Sequence, residues 1–252
     1  MSKSEKTRSD KTRDPIDLPP GFRLVTLRES GDAFAHAAGI AAQSGAGTVT
    51  FTRRFDLVEF AVVLEPDEPL RSARRAVYAG MTALADALAA HCPPEKPIAI
   101  EWPGALLFDG GLVGGGRLAW PAGADEARAP DWLVFGAMLR VHALRAAEPG
   151  LRATGTALAE EGFGEVDAGR ILESFCRHLM VATDEWLGDG FPVLAQRYFA
   201  WAPDAEDARR AIDVNGDLLL RRDGERTPRR EPLLPALAAA LWLDPERGTP
   251  KL

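Results

Sequence analysis

Hydrophobic and polar positions follow two rhythms along the chain. Residues 48–54 (TVTFTRR) alternate β-branched or aromatic residues with polar ones, and residues 57–64 (LVEFAVVL) form a nearly continuous apolar run. Both patterns predict strands, and their closeness predicts a hairpin. A short strand is expected over 21–27 (GFRLVTL). Ser30, Gly31 and Asp32 then offer caps for an alanine-rich helix over 33–43, which Gly45 and Gly47 end. The clearest helix spans 70–91, with Val77, Met81, Leu84 and Leu88 at helical spacing and prolines on both sides. Arg71, Arg74 and Arg75 near its start read as a solvated face.

A strand follows over 98–102. Residues 106–108 and 112–118 flank Asp109-Gly110-Gly111, a hairpin-turn sequence. The apolar run from Trp132 predicts a strand over 132–141 that ends in a loop near Glu148-Pro149-Gly150. Asp167 can cap a helix over 168–187, with Ile171, Leu172, Phe175, Leu179 and Met180 on its apolar face, and a second helix is expected over 191–201. After Pro203 the character changes. Asn215-Gly216 lies inside a hairpin pattern over 212–220, residues 221–230 read as a charged turn, and residues 233–243 as a short apolar helix or cap.

These elements predict a mixed α/β (α+β) fold with a largely antiparallel sheet and flanking helices. Gly 24 and Pro 19 among 252 residues fit a turn-rich chain of this kind rather than a helical bundle. The expected organisation is a solvated tail over 1–18, one large domain over 19–203 and a small β-rich module over 204–252. Hydrophobic residues at 46% and charged residues at 27% exclude disorder over most of the chain. The net charge of -7 argues against broad nucleic-acid binding, which needs a basic face. No apolar stretch reaches the ~20 residues of a membrane span, and the polar N-terminus has no secretory core, so a cytoplasmic protein is expected.

Candidate chemistry concentrates in residues 98–118 (IAIEWPGALLFDGGLVGGGRL). A strand that contains Gly114, Gly115 and Gly116 is unusual, because glycine weakens strands unless a bulge or a close backbone approach requires it. Two readings stay open: a sheet face against which a flat ligand lies, or a bulge at an edge. Trp102 and Trp120 flank the strand and can stack on a ligand ring or fill the core. Elsewhere the signals are ordinary. Two cysteines, Cys92 and Cys176, are too few for a disulfide framework or a cysteine zinc site and read as buried thiols. Four histidines have no metal-binding spacing, so no metal site is expected. No nucleophile elbow, P-loop or dinucleotide fingerprint is present.

The segment resembles the biotin/lipoate protein ligase superfamily. Trp102-Pro103, Asp109-Gly110 and Val113-Gly114-Gly115 match in spacing the Trp-Pro strand, Asp-Gly turn and glycine strand of its biotin-ligase members. The surroundings are similar in order: residues 60–70 with the following helix, the strand 133–141, and the two helices within 156–191. The resemblance covers about residues 21–201 and implies a ligase-type fold. It also implies a biotin, lipoyl or octanoyl group activated with ATP and Mg, and a biotinyl- or lipoyl-carrier domain as partner. The implied ligand site lies over Trp102, Pro103, Gly104, Asp109, Gly114, Gly115 and Gly116.

The departures bear on mechanism. The superfamily's lysine before Trp-Pro is Glu101, its Asn-Asp pair is Gly104-Ala105, and the lysine after the Asp-Gly turn falls at Leu112. The Arg- and Gly-rich loop is reduced to Arg53, Arg54, Phe55 and Asp56. Joining a carboxylate to an anionic triphosphate needs cations to offset repulsion and developing charge. The arginines that can stand in are Arg53, Arg54 and Arg117. Cys176 is a remote candidate for acyl transfer, of the kind some octanoyltransferases in this superfamily use. Two functions follow: a ligase or transferase acting on a carrier lysine, or a non-catalytic homologue that binds an acyl or biotin-like ligand or a carrier domain. A groove open over the glycine strand is what either ligand reading requires.

Overall fold

The computed structural model describes residues 15–93, 96–142, 155–164, 166–203 and 208–251. In chain order the elements are β1 (Arg23–Leu27), α1 (Ala33–Ser44), β2 (Thr48–Arg53), β3 (Leu57–Leu64), α2 (Leu70–Ala73), α3 (Ala76–Ala89), β4 (Ile98–Glu101), β5 (Ala105–Phe108), β6 (Gly111–Ala119) and β7 (Leu133–Arg140). They continue with α4 (Ala168–Asp189), α5 (Phe191–Ala200), β8 (Ala208–Ile212), β9 (Leu218–Arg222), β10 (Arg229–Glu231), α6 (Leu233–Ala239), β11 (Leu243–Asp244) and β12 (Thr249–Pro250).

The first seven strands form one sheet in the order β1-β2-β3-β7-β6-β5-β4. All neighbours are antiparallel except β1 with β2. Successive side chains of a strand point to opposite faces, so β3 and β7 are divided between two layers. Val58, Phe60 and Val62 of β3, with Phe135, Ala137 and Leu139 of β7, join α3 and α4 in the main core. Ala61, Val63 and Val134 pack on Ala37 and Ala41 of α1 on the other side. Strands β3 and β7 are covered on both faces, which is why residues 57–64 read as a continuous apolar run rather than an alternation.

Two helices begin as their caps predict. The Asp32 carboxylate accepts the Ala35 N–H at 2.8 Å, and the Asp167 carboxylate accepts the Gly169 and Arg170 N–H groups at 2.9 and 3.2 Å. The single helix expected over 70–91 is instead two. Hydrogen bonds of the i to i+3 type at Arg75, Val77 and Tyr78 tighten the chain between α2 and α3. Of the arginines there, Arg71 is exposed as expected, but Arg74 and Arg75 are not part of a solvated face. Arg74 is buried, ion-paired with Glu126 and stacked on Trp120, and Arg75 pairs with Glu68 at 2.5 Å with its guanidinium 4.4 Å from the Phe191 ring centre. Local periodicity cannot show acidic and aromatic partners that arrive from elsewhere in the chain.

Of the tail expected over 1–18, residues 1–14 lie outside the described residues. The remainder is packed rather than solvated: Ile16 and Leu18 lie against the main core, and the Asp17 N–H donates to Glu173 at 2.7 Å. The expected loop near residues 148–150 also falls outside the described residues.

The C-terminal region carries a three-stranded antiparallel sheet, β10-β9-β8, then α6, then the short pair β11-β12. Residues 213–217 make the turn of the expected hairpin, with the Asp213 carboxylate accepting the Asn215 and Asp217 N–H groups. Strands β10, β11 and β12 have two or three residues each and carry no pattern legible beforehand. The helix expected over 233–243 ends at Ala239. Ala240 takes a left-handed conformation (φ 36°), and the chain leaves the helix before Trp242.

Candidate functional site

The Trp102-Pro103 corner joins β4 to β5, with a cis peptide between the two residues. The indole N–H of Trp102 donates to the Tyr78 hydroxyl at 2.9 Å, and that hydroxyl donates to the Gly216 carbonyl at 2.5 Å. The Tyr198 hydroxyl donates to the Pro103 carbonyl at 3.1 Å. Tyr78 and Tyr198 meet edge to face at 4.7 Å. Both tyrosines are buried, and burial pushes both hydroxyls well above their ordinary pKa, so they hold the corner as neutral hydrogen-bonding groups. The network ties the corner to α3, α5 and the C-terminal turn together. Trp120, the second flanking tryptophan, lies under Arg74.

Each glycine of the β6 triplet is explained by the chain itself. A Cβ on Gly114 (φ 158°) would strike the Met138 backbone. One on Gly116 would lie 2.6 Å from the Met81 sulfur and 2.7 Å from the Phe135 ring, inside the core. One on Gly115 would meet the Gly104 carbonyl and stand 2.7 Å from the Trp242 indole. Trp242 is buried, and its indole N–H donates to the Gly116 carbonyl at 3.3 Å. It packs with Leu57 and Met138 on the sheet face where a flat ligand was expected. The groove directly over the glycine strand is therefore filled by the chain's own tryptophan.

A cavity of about 770 Å³ remains beside it, between the corner and α6. That is within the size range of small-molecule sites. Of the predicted residues, Trp102, Pro103, Gly104 and Gly116 line it, with Gly110 and Leu112. Gly114 and Gly115 are not on its lining. Neither is Asp109, which sits in the β5–β6 turn with Lys96 at 3.4 Å. Sequence reasoning missed Trp242 and the wall formed by Pro235, Leu237 and Leu241. No local signal distinguishes a tryptophan that leaves a helix from one that stays on it. A shallower groove of about 540 Å³ along α4, lined by Phe22, Leu64, Leu179 and Met180, contains none of the predicted residues.

The candidate arginines do not face this cavity. Arg54 makes a bidentate ion pair with Asp56 at 2.9 and 2.8 Å and lies 4.0 Å from Glu59. The Arg117 guanidinium lies 4.1 Å from the Phe34 ring centre and 3.4 Å from Asp32. Arg53 ends β2 in an exposed position. Arg140, which sequence reasoning did not single out, is buried and donates to the Pro250 carbonyl. Glu59 accepts the Ala33 N–H at 2.9 Å at the start of α1, and its burial raises its pKa. Two aspartates and a glutamate thus hold Arg54 and Arg117, and a backbone carbonyl holds Arg140. With Glu101 and Leu112 on the cavity wall, these residues do not form a cradle for a triphosphate or its metal ion.

Cys176 is buried on α4 and burial pushes its thiol up to about 12, which removes it as an acyl-transfer nucleophile. Among the described residues no cluster of metal-ligating side chains is present, and no helix is long and apolar enough to cross a membrane.

A seven-stranded sheet backed by α3 and α4, with a Trp-Pro corner and a glycine strand at one end, defines the architecture of biotin and lipoate ligases. Residues 18–200 match the model of the biotin/lipoate A/B protein ligase family, and the chain belongs to that family. No curated protein sequence matches the chain. Among solved structures it is similar to a biotin protein ligase-like protein of unknown function from Silicibacter sp. TM1040, with 28% identity, a TM-score of 0.74, and coverage of 87% of this chain and 97% of the other. It shares its fold with the biotin protein ligase of Aquifex aeolicus (14% identity, TM-score 0.63, 83% and 95% covered) and with that of Leishmania major in complex with biotin (14%, 0.53, 84% and 99%).

Proposed function

We propose that this protein is a ligand-binding member of the family, which holds an acyl or biotin-like molecule in the cavity between the Trp102-Pro103 corner and α6 without adenylating it. The observation that carries the reading is the position of Trp242. It closes the sheet face over Gly115, against the open groove expected there, and so moves the ligand reading off the glycine strand to the adjoining apolar cavity, which stays open. An adenylating enzyme needs cations free to meet phosphates. Here Arg54 and Arg117 are committed to Asp56, Asp32 and Phe34, exposed Arg53 is off the cavity lining, positions 101 and 112 are Glu and Leu, and Lys251 is the one cationic residue on the lining among the described residues.

The test has two parts. Titration calorimetry with biotin, lipoate, octanoate and their neutral amides should give saturable binding of at least one of these ligands. Carboxylate-dependent ATP–pyrophosphate exchange should stay at background with all three acids. Exchange above background would restore the reading of a ligase or transferase acting on a carrier lysine. Absence of any binding would defeat the ligand reading.

A further inference from the structure

The cavity is built from two parts of the chain. The sheet side contributes Trp102, Gly104 and Leu112, and the opposite wall comes from α6 and the residues after it. Three charged residues line it: Glu101, Glu231 and Lys251, the last of them exposed at its rim. Glu231 is ion-paired with Arg229 at 2.5 Å. Glu101 makes no salt bridge with any described residue and lies at the corner end, on the last position of β4. Lys251 follows β12. Its backbone N–H donates to the Trp242 carbonyl at 2.9 Å, so its place is tied to the tryptophan that closes the sheet face. The arginines of the sheet face are held elsewhere, which leaves Lys251 as the one cationic residue lining this cavity among the described residues. It lies outside residues 18–200, the part of the chain that matches the family.

We infer that the C-terminal region completes the ligand site: Lys251 anchors the carboxylate of an amphipathic acid whose apolar body fills the cavity, and Glu101 repels that carboxylate from the corner end. The inference rests on the ligand-binding reading above and narrows it to acids held in one direction. An ammonium in a partly apolar setting favours a carboxylate over a neutral amide of the same shape. At a solvent-exposed rim the preference is modest and is screened by salt.

Titration calorimetry of the full chain with octanoate against octanamide, and with biotin against its primary amide, tests it. The wild type should bind each acid about fivefold more tightly than its amide, the magnitude expected of a rim-exposed charge pair, and the margin should shrink as salt is raised. Lys251→Gln should remove the margin and leave amide affinity unchanged. Lys251→Arg should retain it, and Glu101→Gln should widen it. Equal affinity for acid and amide in the wild type would overturn the inference while leaving the binding reading intact. Equal weakening of acid and amide by Lys251→Gln would also overturn it. Failure of every acid and amide to bind would defeat both.

Discussion

Glu59 and Phe60 are neighbours on β3 and face opposite sides of the same sheet. Phe60 is fully buried against Phe175, with ring centres 4.6 Å apart, in the layer shared with α3 and α4. Glu59 is nearly as buried, but its layer holds Thr50, Arg54, Asp56, Arg117 and Arg140 beneath α1 and the C-terminal strands. The Thr50 hydroxyl donates to the Ala33 carbonyl at 2.7 Å, and Glu59 accepts the Ala33 N–H. One layer is held by apolar burial and ring packing. The other adds paired charges and caps to smaller apolar clusters, and each pair or cap consumes a group that could otherwise meet a ligand. Buried polar groups are as a rule satisfied; here most partners come from the chain itself, while Arg140 Nε in this layer has no hydrogen-bond partner among the described residues.

Breaking the apolar layer should have the largest effect. Phe60→Ala is expected to cost about 3–5 kcal/mol, because it removes a ring from a packed core that cannot collapse fully around the void; urea denaturation measures it. Tyr78→Phe leaves the Trp102 indole N–H without its acceptor and the Gly216 carbonyl without its donor. A loss of about 1–3 kcal/mol is expected, seen as a lower unfolding midpoint and as a change in tryptophan fluorescence at the corner.

The opposite layer should respond with the opposite sign. Burial raises the Glu59 pKa above its ordinary value of 4.5. The native state therefore holds a proton that the unfolded state has released, and stability falls as pH rises from about 4.5 through the native pKa. Glu59→Gln keeps an acceptor for Ala33 and lacks that loss, so it should be more stable than the wild type at pH 7. The advantage should disappear below about pH 4. A wild type that proves the more stable at pH 7 would show that the Arg54–Glu59 pair outweighs the cost of burial. The smallest effect concerns the thiols. Native protein should expose only Cys92 to a thiol reagent, with Cys176 reacting after denaturation, since Cys176 is buried and only Cys92 is partly accessible.

Much of the fold was legible from local chemistry. The apolar run at 57–64, the Asp109-Gly110 turn and the Asp167 cap each act over a few residues, and each appears where the sequence places it. The Trp-Pro corner and the glycine strand were legible as unusual features, but their purpose was not. Gly116 faces the core, Gly114 meets the β7 backbone and Gly115 meets Trp242, and those partners are 19 to 127 residues distant in the chain. The break between α2 and α3 was hidden for the same reason, because Glu126 and Trp120 draw Arg74 inward from outside the helix.

By itself, the sequence determined most elements of the large sheet and its main helices, the family architecture, and the absence of lysines at positions 101 and 112, since strand period, turn residues and side-chain identity are local properties. Only the tertiary structure decided that Arg54 and Arg117 are spent on internal partners, that Trp242 leaves α6 to cover Gly115, and that a cavity survives beside it with Lys251 on its rim. Charge pairing and close packing act between groups brought together by the fold, and their outcome depends on which distant partners the folded chain places at each buried position.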